Sequence, residues 1–274
     1  MFFSISQIAD IKNFYNKNGY VTIHDLLDKT DVKRLRDAFD EAVSKGNILL
    51  DREEFITCND VIYRHHVFEE YAKDSRLVNL AETLFERKGL ELQHSKLNAK
   101  PIADQGTGKI QWHQDYPFFP HTNYDLAAFG IHFDDEDIDS GPLLYIAGSH
   151  KLGVLSHCKD DEFAYECTEK KVLEQSNPEV VCCKAGYVTF HHCLTLHSSE
   201  RKKNNKPRRL LVFQLRTLDN IQIAGVLWKC TGFLINDGVG KGKARFVDGS
   251  SVEIRGKSGR LFDKYAKLAP DQAS

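Results

Sequence analysis

The stretch QWHQDYPFF, residues 111–119, sets a histidine and an aspartate two positions apart, His113 and Asp115. On a strand, residues i and i+2 point to the same face, so this pair can aim at one point. Two histidines and one carboxylate on one face of a mononuclear iron(II) ion leave its other positions open for chemistry. The second histidine must come from another strand, and TFHHCLTLHSS, residues 189–199, offers His191, His192 and His197. His197 is followed by a polar turn, ERKKNNKP, and then by RRLLVFQLR. A hairpin of that form returns Arg208 or Arg209 to the side of His197, where a guanidinium can grip a carboxylate through two parallel hydrogen bonds. An H-x-D pair alone means little in a chain with 12 histidines and 39 acidic residues. With His197 and a downstream arginine it becomes a specific pattern.

These side chains need a frame. In SISQIADIKNFYNKNG the apolar residues Ile5, Ile8, Ile11, Phe14 and Tyr15 recur at a helical period, and Gly19 suits the helix end. YVTIHDLL alternates like a short strand. Thr30 or Asp31 can cap a second helix that stops at Gly46, and Glu69 to Lys88 predicts a third, ended by Gly89. Beyond Gly89 the texture changes to short strand candidates: LELQHSKLNAKP, KIQWHQDYPFF, DLAAFGIHFDD, PLLYIAG, EVVCCKAGYVTFHH and RRLLVFQLR. The turn-rich stretches ADQGTG, DIDSGP, KAG and KKNNKP separate them. The expected fold is mainly β with flanking N-terminal helices, a double-stranded β-helix or jelly roll. It is expected as one domain over 1–274, with 1–89 mostly helical, 90–220 the jelly-roll core and 221–274 peripheral strands and loops.

A chain of 274 residues can bury a sizeable core. Its 37 basic and 39 acidic residues give a net charge of −2, so no global field draws it to nucleic acid or an anionic membrane. No apolar run is long enough to cross a bilayer, and the N-terminus lacks the basic start and apolar stretch of a signal peptide. Seven cysteines without a C-x-x-C pair read as free thiols in a reducing cytoplasm. The acidic run Asp134 to Asp137 lacks the glycine and the closing glutamate of a calcium loop and is expected to be a solvated turn.

The chain resembles the phytanoyl-CoA dioxygenase family of iron(II)- and 2-oxoglutarate-dependent oxygenases, a group that includes the ectoine hydroxylases. The segments that carry the likeness are LNAKP (97–101), WHQD (112–115), FDDEDIDSGPLLYIAGSHKLG (133–153) and AGYVTFHHCLTLHSSERKKNNKPRRL (185–210). The resemblance implies that His113, Asp115 and His197 hold iron(II). It implies that Arg208 takes the far carboxylate of 2-oxoglutarate, with Ser199 and Lys100 as further contacts. Strand alternation agrees with Arg208 over Arg209, since one of two neighbours faces inward. Dioxygen and a small-molecule substrate complete the reaction.

The sequence departs from the family at four points, one of them the loop after His197, which Asn204 or Asn205 fills differently. Ala185-Gly186-Tyr187 lacks the aspartate usual there, Gly130 stands where many relatives carry tryptophan, and His94 stands where ectoine hydroxylases use glutamine. His94, Gln111, Phe118 and His132 are the expected substrate-pocket residues, with Gln111 in phase with the ligands and Gln114 turned away. Hydroxylation is the expected outcome, and desaturation, epoxidation and ring closure share the same first step. The retained Asp115 opposes halogenation, which needs its place vacated for a halide. A metal-binding jelly roll without oxygenase activity is the alternative of another class, and a zinc hydrolase would leave Arg208 without a role.

Overall fold

Helix α1 (Ile8–Asn18) follows a two-residue strand β1 (Phe2–Phe3), buries Ile11 and Tyr15, and ends at Gly19. That glycine has φ 80° and donates its N–H to Tyr15 O at 2.7 Å, the left-handed closure for which glycine carries no Cβ penalty. The structure, a computed structural model, describes residues 1–49, 56–100 and 108–254. The expected ADQGTG turn therefore lies almost wholly outside the described residues.

Strand β2 (Tyr20–Ile23) leads to α2 (Lys29–Ser44). The cap of α2 is Asp28, in place of the expected Thr30 or Asp31. Its carboxylate accepts from the N–H groups of Thr30 and Asp31, and the Asp31 side chain accepts from the N–H of Asp28. After β3 (Ile56–Asn59) the expected third helix is split into α3 (His66–Ala72) and α4 (Ser75–Phe85). Asp74 causes the break, because its side chain accepts from Arg76 N and starts a new helix.

The remaining elements are β4 (Leu90–Ala99), β5 (Ile110–His113), β6 (Leu126–His132), β7 (Leu143–Tyr145), β8 (Cys158–Lys159) and β9 (Glu162–Phe163). They continue with α5 (Lys170–Glu174), β10 (Glu179–Val181), β11 (Val188–His192), β12 (His197–Ser199) and β13 (Arg209–Thr217). Strand β14 (Phe233–Asn236) and the peripheral hairpin of β15 (Lys243–Arg245) and β16 (Ser251–Glu253) close the described chain.

Two sheets form the jelly roll. The larger runs β1-β2-β11-β6-β13-β4-β14, with β3 also on β4, and the smaller runs β10-β7-β12-β5. Among the described residues only β1 and β2 pair in parallel within them. The outer face of the large sheet, with Phe129, Phe190, Leu211, Phe213 and Leu215, packs on the helices in one hydrophobic core. Its inner face meets the small sheet through Ala128, Leu210 and Val212 against Leu143 and Tyr145.

Register decides what β4 shows to the interior. Asn98, Lys96 and His94 pair with Leu210, Val212 and Gln214 of β13. Residues directly opposite across an antiparallel pair share a face, so these three polar residues point inward beside Leu210 and Val212. All seven cysteines are free. No helix among the described residues is long and apolar enough to cross a membrane.

Candidate metal centre

Strands β5 and β12 pair so that His113 and His197 stand directly opposite, with ring centroids 4.1 Å apart. Strand β5 ends at His113, and Asp115 opens the 3-10 turn Tyr116–Phe118 with helical backbone angles. The expected shared strand face is thus replaced by a strand end and a turn, which still brings the carboxylate to the histidines. Asp115 Oδ1 lies 3.9 Å from His113 Nε2 and 3.8 Å from His197 Nε2. One donor atom from each of the three residues falls within 4.8 Å of the other two. Metal–ligand bonds of about 2.1 Å span ligand pairs by about 3 to 4 Å across an ion, a spacing this triad approaches.

Both histidines are tied back by their other nitrogen. His113 Nδ1 donates to Gln111 O at 2.7 Å and His197 Nδ1 donates to Thr195 O at 2.9 Å. A proton fixed on Nδ1 leaves Nε2 as the lone-pair donor, the tautomer a metal needs. Burial, partly opposed by Asp115, lowers the His113 pKa to about 4, and burial with His113 and His191 alongside holds His197 well below the usual range. Burial alone would raise the Asp115 carboxyl, but His197 and His191 reverse this and hold it well below the ordinary carboxylate range. Two neutral imidazoles and one carboxylate are the donor set for a divalent first-row metal.

A third histidine joins them. His191 Nε2 donates to Asp115 Oδ2 at 3.2 Å, and its Nδ1 faces the Tyr145 hydroxyl at 3.1 Å. In the sequence His191 stood only among the three candidates for the second histidine ligand. His192 instead accepts from Leu194 N and packs near Tyr15 and His150. Gln114 turns away from the ligands, as alternation predicts, and bonds to Gly153 O, Leu194 O and Leu155 N, pinning the loop that carries Asp115.

The arginine end lies further along the interior. Arg208 is buried, with Nε 3.0 Å from Glu136 Oε1 as an ion pair, and neither Nε nor Nη2 makes a well-formed hydrogen bond. Arg209 turns outward to Asp134, bonded at 2.7 Å, and to the ring of Phe39. The acidic run is therefore not a solvated turn. Asp134 and Glu136 are buried as partners of the two arginines, and Asp135 is exposed. Lys100 Nζ donates to Gly108 O at 2.7 Å, to Ser199 Oγ at 2.9 Å and to Glu200 O. Burial and the nearby Arg208 lower its pKa to about 7. Ser199 accepts from Lys100 and keeps its own hydroxyl proton for another acceptor.

The expected pocket residues separate. Phe118 sits edge-on to His113 with centroids 5.6 Å apart. His94 stacks on Trp228 at 4.1 Å, with Nε2 3.1 Å from Asn59 Oδ1. Gln111 does not enter: it is exposed on β5, and only its carbonyl serves the site. His132 lies at the Arg208 end, with its Nδ1 2.9 Å from Glu136 Oε1. Gly130 does not widen the interior. A Cβ there would lie 2.5 Å from Thr189 Oγ1, so that side chain already fills the space.

The family model for phytanoyl-CoA dioxygenase (PhyH) matches residues 15–210, well over half of the chain. The chain belongs to the phytanoyl-CoA dioxygenase family. This is a family of iron(II)- and 2-oxoglutarate-dependent dioxygenases. The chain is 30% identical over 162 residues to a probable alpha-ketoglutarate-dependent hypophosphite dioxygenase of Stutzerimonas stutzeri, covering 57% of this chain and 55% of that protein. It is 22% identical over 224 residues to the peroxisomal phytanoyl-CoA dioxygenase of Bos taurus, covering 73% of this chain and 66% of that protein. The matches thus span little more than half to two thirds of these two relatives. Among solved structures, the epimerase SnoN in complex with Fe3+, alpha-ketoglutarate and nogalamycin RO shares the fold at TM-score 0.70 and 18% identity, over 93% of this chain and 95% of that one.

Proposed function

We propose that this protein oxidises an unactivated C–H bond of a small molecule as an iron(II)- and 2-oxoglutarate-dependent oxygenase, with hydroxylation as the outcome. The observation that carries this reading is the cluster of His113, Asp115 and His197 together with a buried Arg208 whose Nη2 has no hydrogen-bond partner, joined to it through Lys100 and Ser199, two residues from His197. A metal site alone fits many proteins. A buried guanidinium edge without an acceptor calls for an anion.

Iron(II) with 2-oxoglutarate would supply the oxidation, consuming dioxygen and releasing succinate and carbon dioxide. The chain's own residues bind and orient. His113, Asp115 and His197 hold the metal. Arg208 takes the far carboxylate on Nη2 while Glu136 holds its Nε, so the guanidinium presents a fixed edge. Ser199 donates its free hydroxyl proton to the same carboxylate, and Lys100 orients Ser199 and adds positive charge. His191 holds Asp115 through Oδ2. Retained Asp115 fills the position that a halide would need, which favours oxygenation over halogenation. The seven free thiols suit a reducing, cytoplasmic setting.

Incubation with iron(II), dioxygen and 2-oxoglutarate across a panel of small candidate substrates tests the reading. Succinate is expected to form in step with one oxidised member of the panel. Failure of the metal-loaded protein to bind 2-oxoglutarate would sink the proposal.

A further inference from the structure

We propose that Lys96 receives an anionic oxyacid group of the primary substrate, a carboxylate or a phosphorus oxyacid, beside the metal triad. The inference rests on the oxygenase reading above and names its substrate class.

Lys96 sits in the middle of β4 on the interior face, opposite Val212 on one side and Asn59 on the other. Two residues back on the same face, His94 pairs with Gln214, which stands in one row across the sheet with Ala128 and His191, the histidine that holds Asp115, so this face of β4 runs toward the metal end of the interior. Lys100 lies four residues further along, where its N–H bonds to Arg208 O and its Nζ to Ser199 Oγ, so the two lysines serve different ends. Lys96 is half-buried on that face.

No carboxylate among the described residues stands within ion-pair distance of Lys96. Asp115, the one acid that senses it, is committed to His191 and to the triad. The neighbours of Lys96 are uncharged groups that can hydrogen-bond. His94 is kept neutral by burial and by Lys96 itself, and is braced by Trp228 and Asn59. Gln214 Oε1, buried beside His94, has no well-formed hydrogen bond. One cation among amides and an imidazole is a lining for an oxyanion.

The count of charges points the same way. 2-Oxoglutarate carries two carboxylates; one belongs on the metal and the other at Arg208. Lys96 is a further cation on the metal side and is left for the second substrate. Burial already lowers its pKa, so an arriving anion would relieve a cost as well as form a contact.

Calorimetric titration of the protein loaded with nickel(II) in place of iron, and therefore without turnover, tests this. 2-Oxoglutarate is titrated first, then hypophosphite and acetate separately, against wild type, Lys96→Met and Lys96→Arg. Wild type is expected to bind 2-oxoglutarate and then at least one of the two anions. Lys96→Met should weaken the anion by about tenfold or more, Lys96→Arg should restore it, and 2-oxoglutarate affinity should stay within twofold in both. Preference for hypophosphite or for acetate identifies the phosphorus or the carboxylate source. Two results would overturn the inference while sparing the oxygenase reading: neither anion binds wild type at millimolar concentration, or Lys96→Met binds it equally well. Weakened 2-oxoglutarate with unchanged anion binding would reassign Lys96 to the cosubstrate and also overturn it. Wild type that fails to bind 2-oxoglutarate at all would instead overturn the oxygenase reading itself.

Discussion

His191 Nε2 lies 3.2 Å from Asp115 Oδ2, while His113 and His197 both approach the other oxygen, Oδ1. The carboxylate is thereby divided, one oxygen held by protein and one turned to the metal site. Partners of this kind fix ligand orientation, and losing one costs about 10- to 100-fold in metal affinity or activity. His191→Phe is accordingly expected to weaken iron(II) binding by about that factor, with Tyr145→Phe milder because it acts one bond further away. Anaerobic competition with a chelator measures this. Unchanged affinity in His191→Phe would show that Asp115 is oriented by its own turn alone.

Arg208 and Glu136 form a buried pair, and each also has an atom without a hydrogen-bond partner. Arg208→Lys keeps a cation beside Glu136 but loses the planar fork. The KM for 2-oxoglutarate should rise about tenfold or more, with iron(II) affinity kept within twofold. Glu136→Ala strands a buried guanidinium and should cost about 3–5 kcal/mol of stability. Urea unfolding reads the second effect, and a wild-type midpoint would refute it.

Gly141 makes room for the cosubstrate end. At φ 67° it is in the left-handed region, and a Cβ would lie 2.5 Å from Glu200 O and 3.0 Å from Lys100 Nζ. Gly141→Ala should lose about 1–3 kcal/mol and also bind 2-oxoglutarate more weakly, because Lys100 is pushed off Ser199. Lost stability with unaltered 2-oxoglutarate binding would remove the Lys100–Ser199 contact from the site.

Lys100 carries a pH dependence. Its pKa of about 7 lies below the ordinary lysine value because of burial, with Arg208 adding to it. The amine is charged below that pH and neutral above it, and a nearby dianion favours the charged form. Affinity for 2-oxoglutarate should therefore fall severalfold as pH rises from about 6 to about 9, with proton uptake on binding at the upper end. Lys100→Met should flatten that profile. An equally steep profile in the variant would assign the dependence elsewhere.

Much of this site was legible before folding. The H-x-D pair rests on local spacing, and the hairpin beyond His197 needs only its polar turn; the choice of His197 and of Arg208 came with the family resemblance, with strand alternation agreeing on Arg208. What escaped depends on register between distant segments. Glu136 read as part of a solvated acidic run because the strand that presents Arg208 to it begins over seventy positions later. His191 gained a role only when β11 was set behind the Asp115 turn, and Gln111 lost one because its strand face opens to solvent. Lys96 carried no spacing signal, since its meaning lies in the absence of a partner. The split between α3 and α4 was visible in principle, as Asp74-Ser75 is a helix-start pair inside an apolar periodic run.

The central claim is that one site holds iron(II) through His113, Asp115 and His197 and 2-oxoglutarate through Arg208. It is tested most directly by adding 2-oxoglutarate to the anaerobic iron(II)-loaded protein and following the visible charge-transfer absorption of the chelate. The account predicts that this absorption appears in wild type, is lost in His197→Ala together with the iron, and needs far more 2-oxoglutarate in Arg208→Lys. Wild-type protein that binds iron(II) but shows no such absorption at saturating 2-oxoglutarate would contradict it.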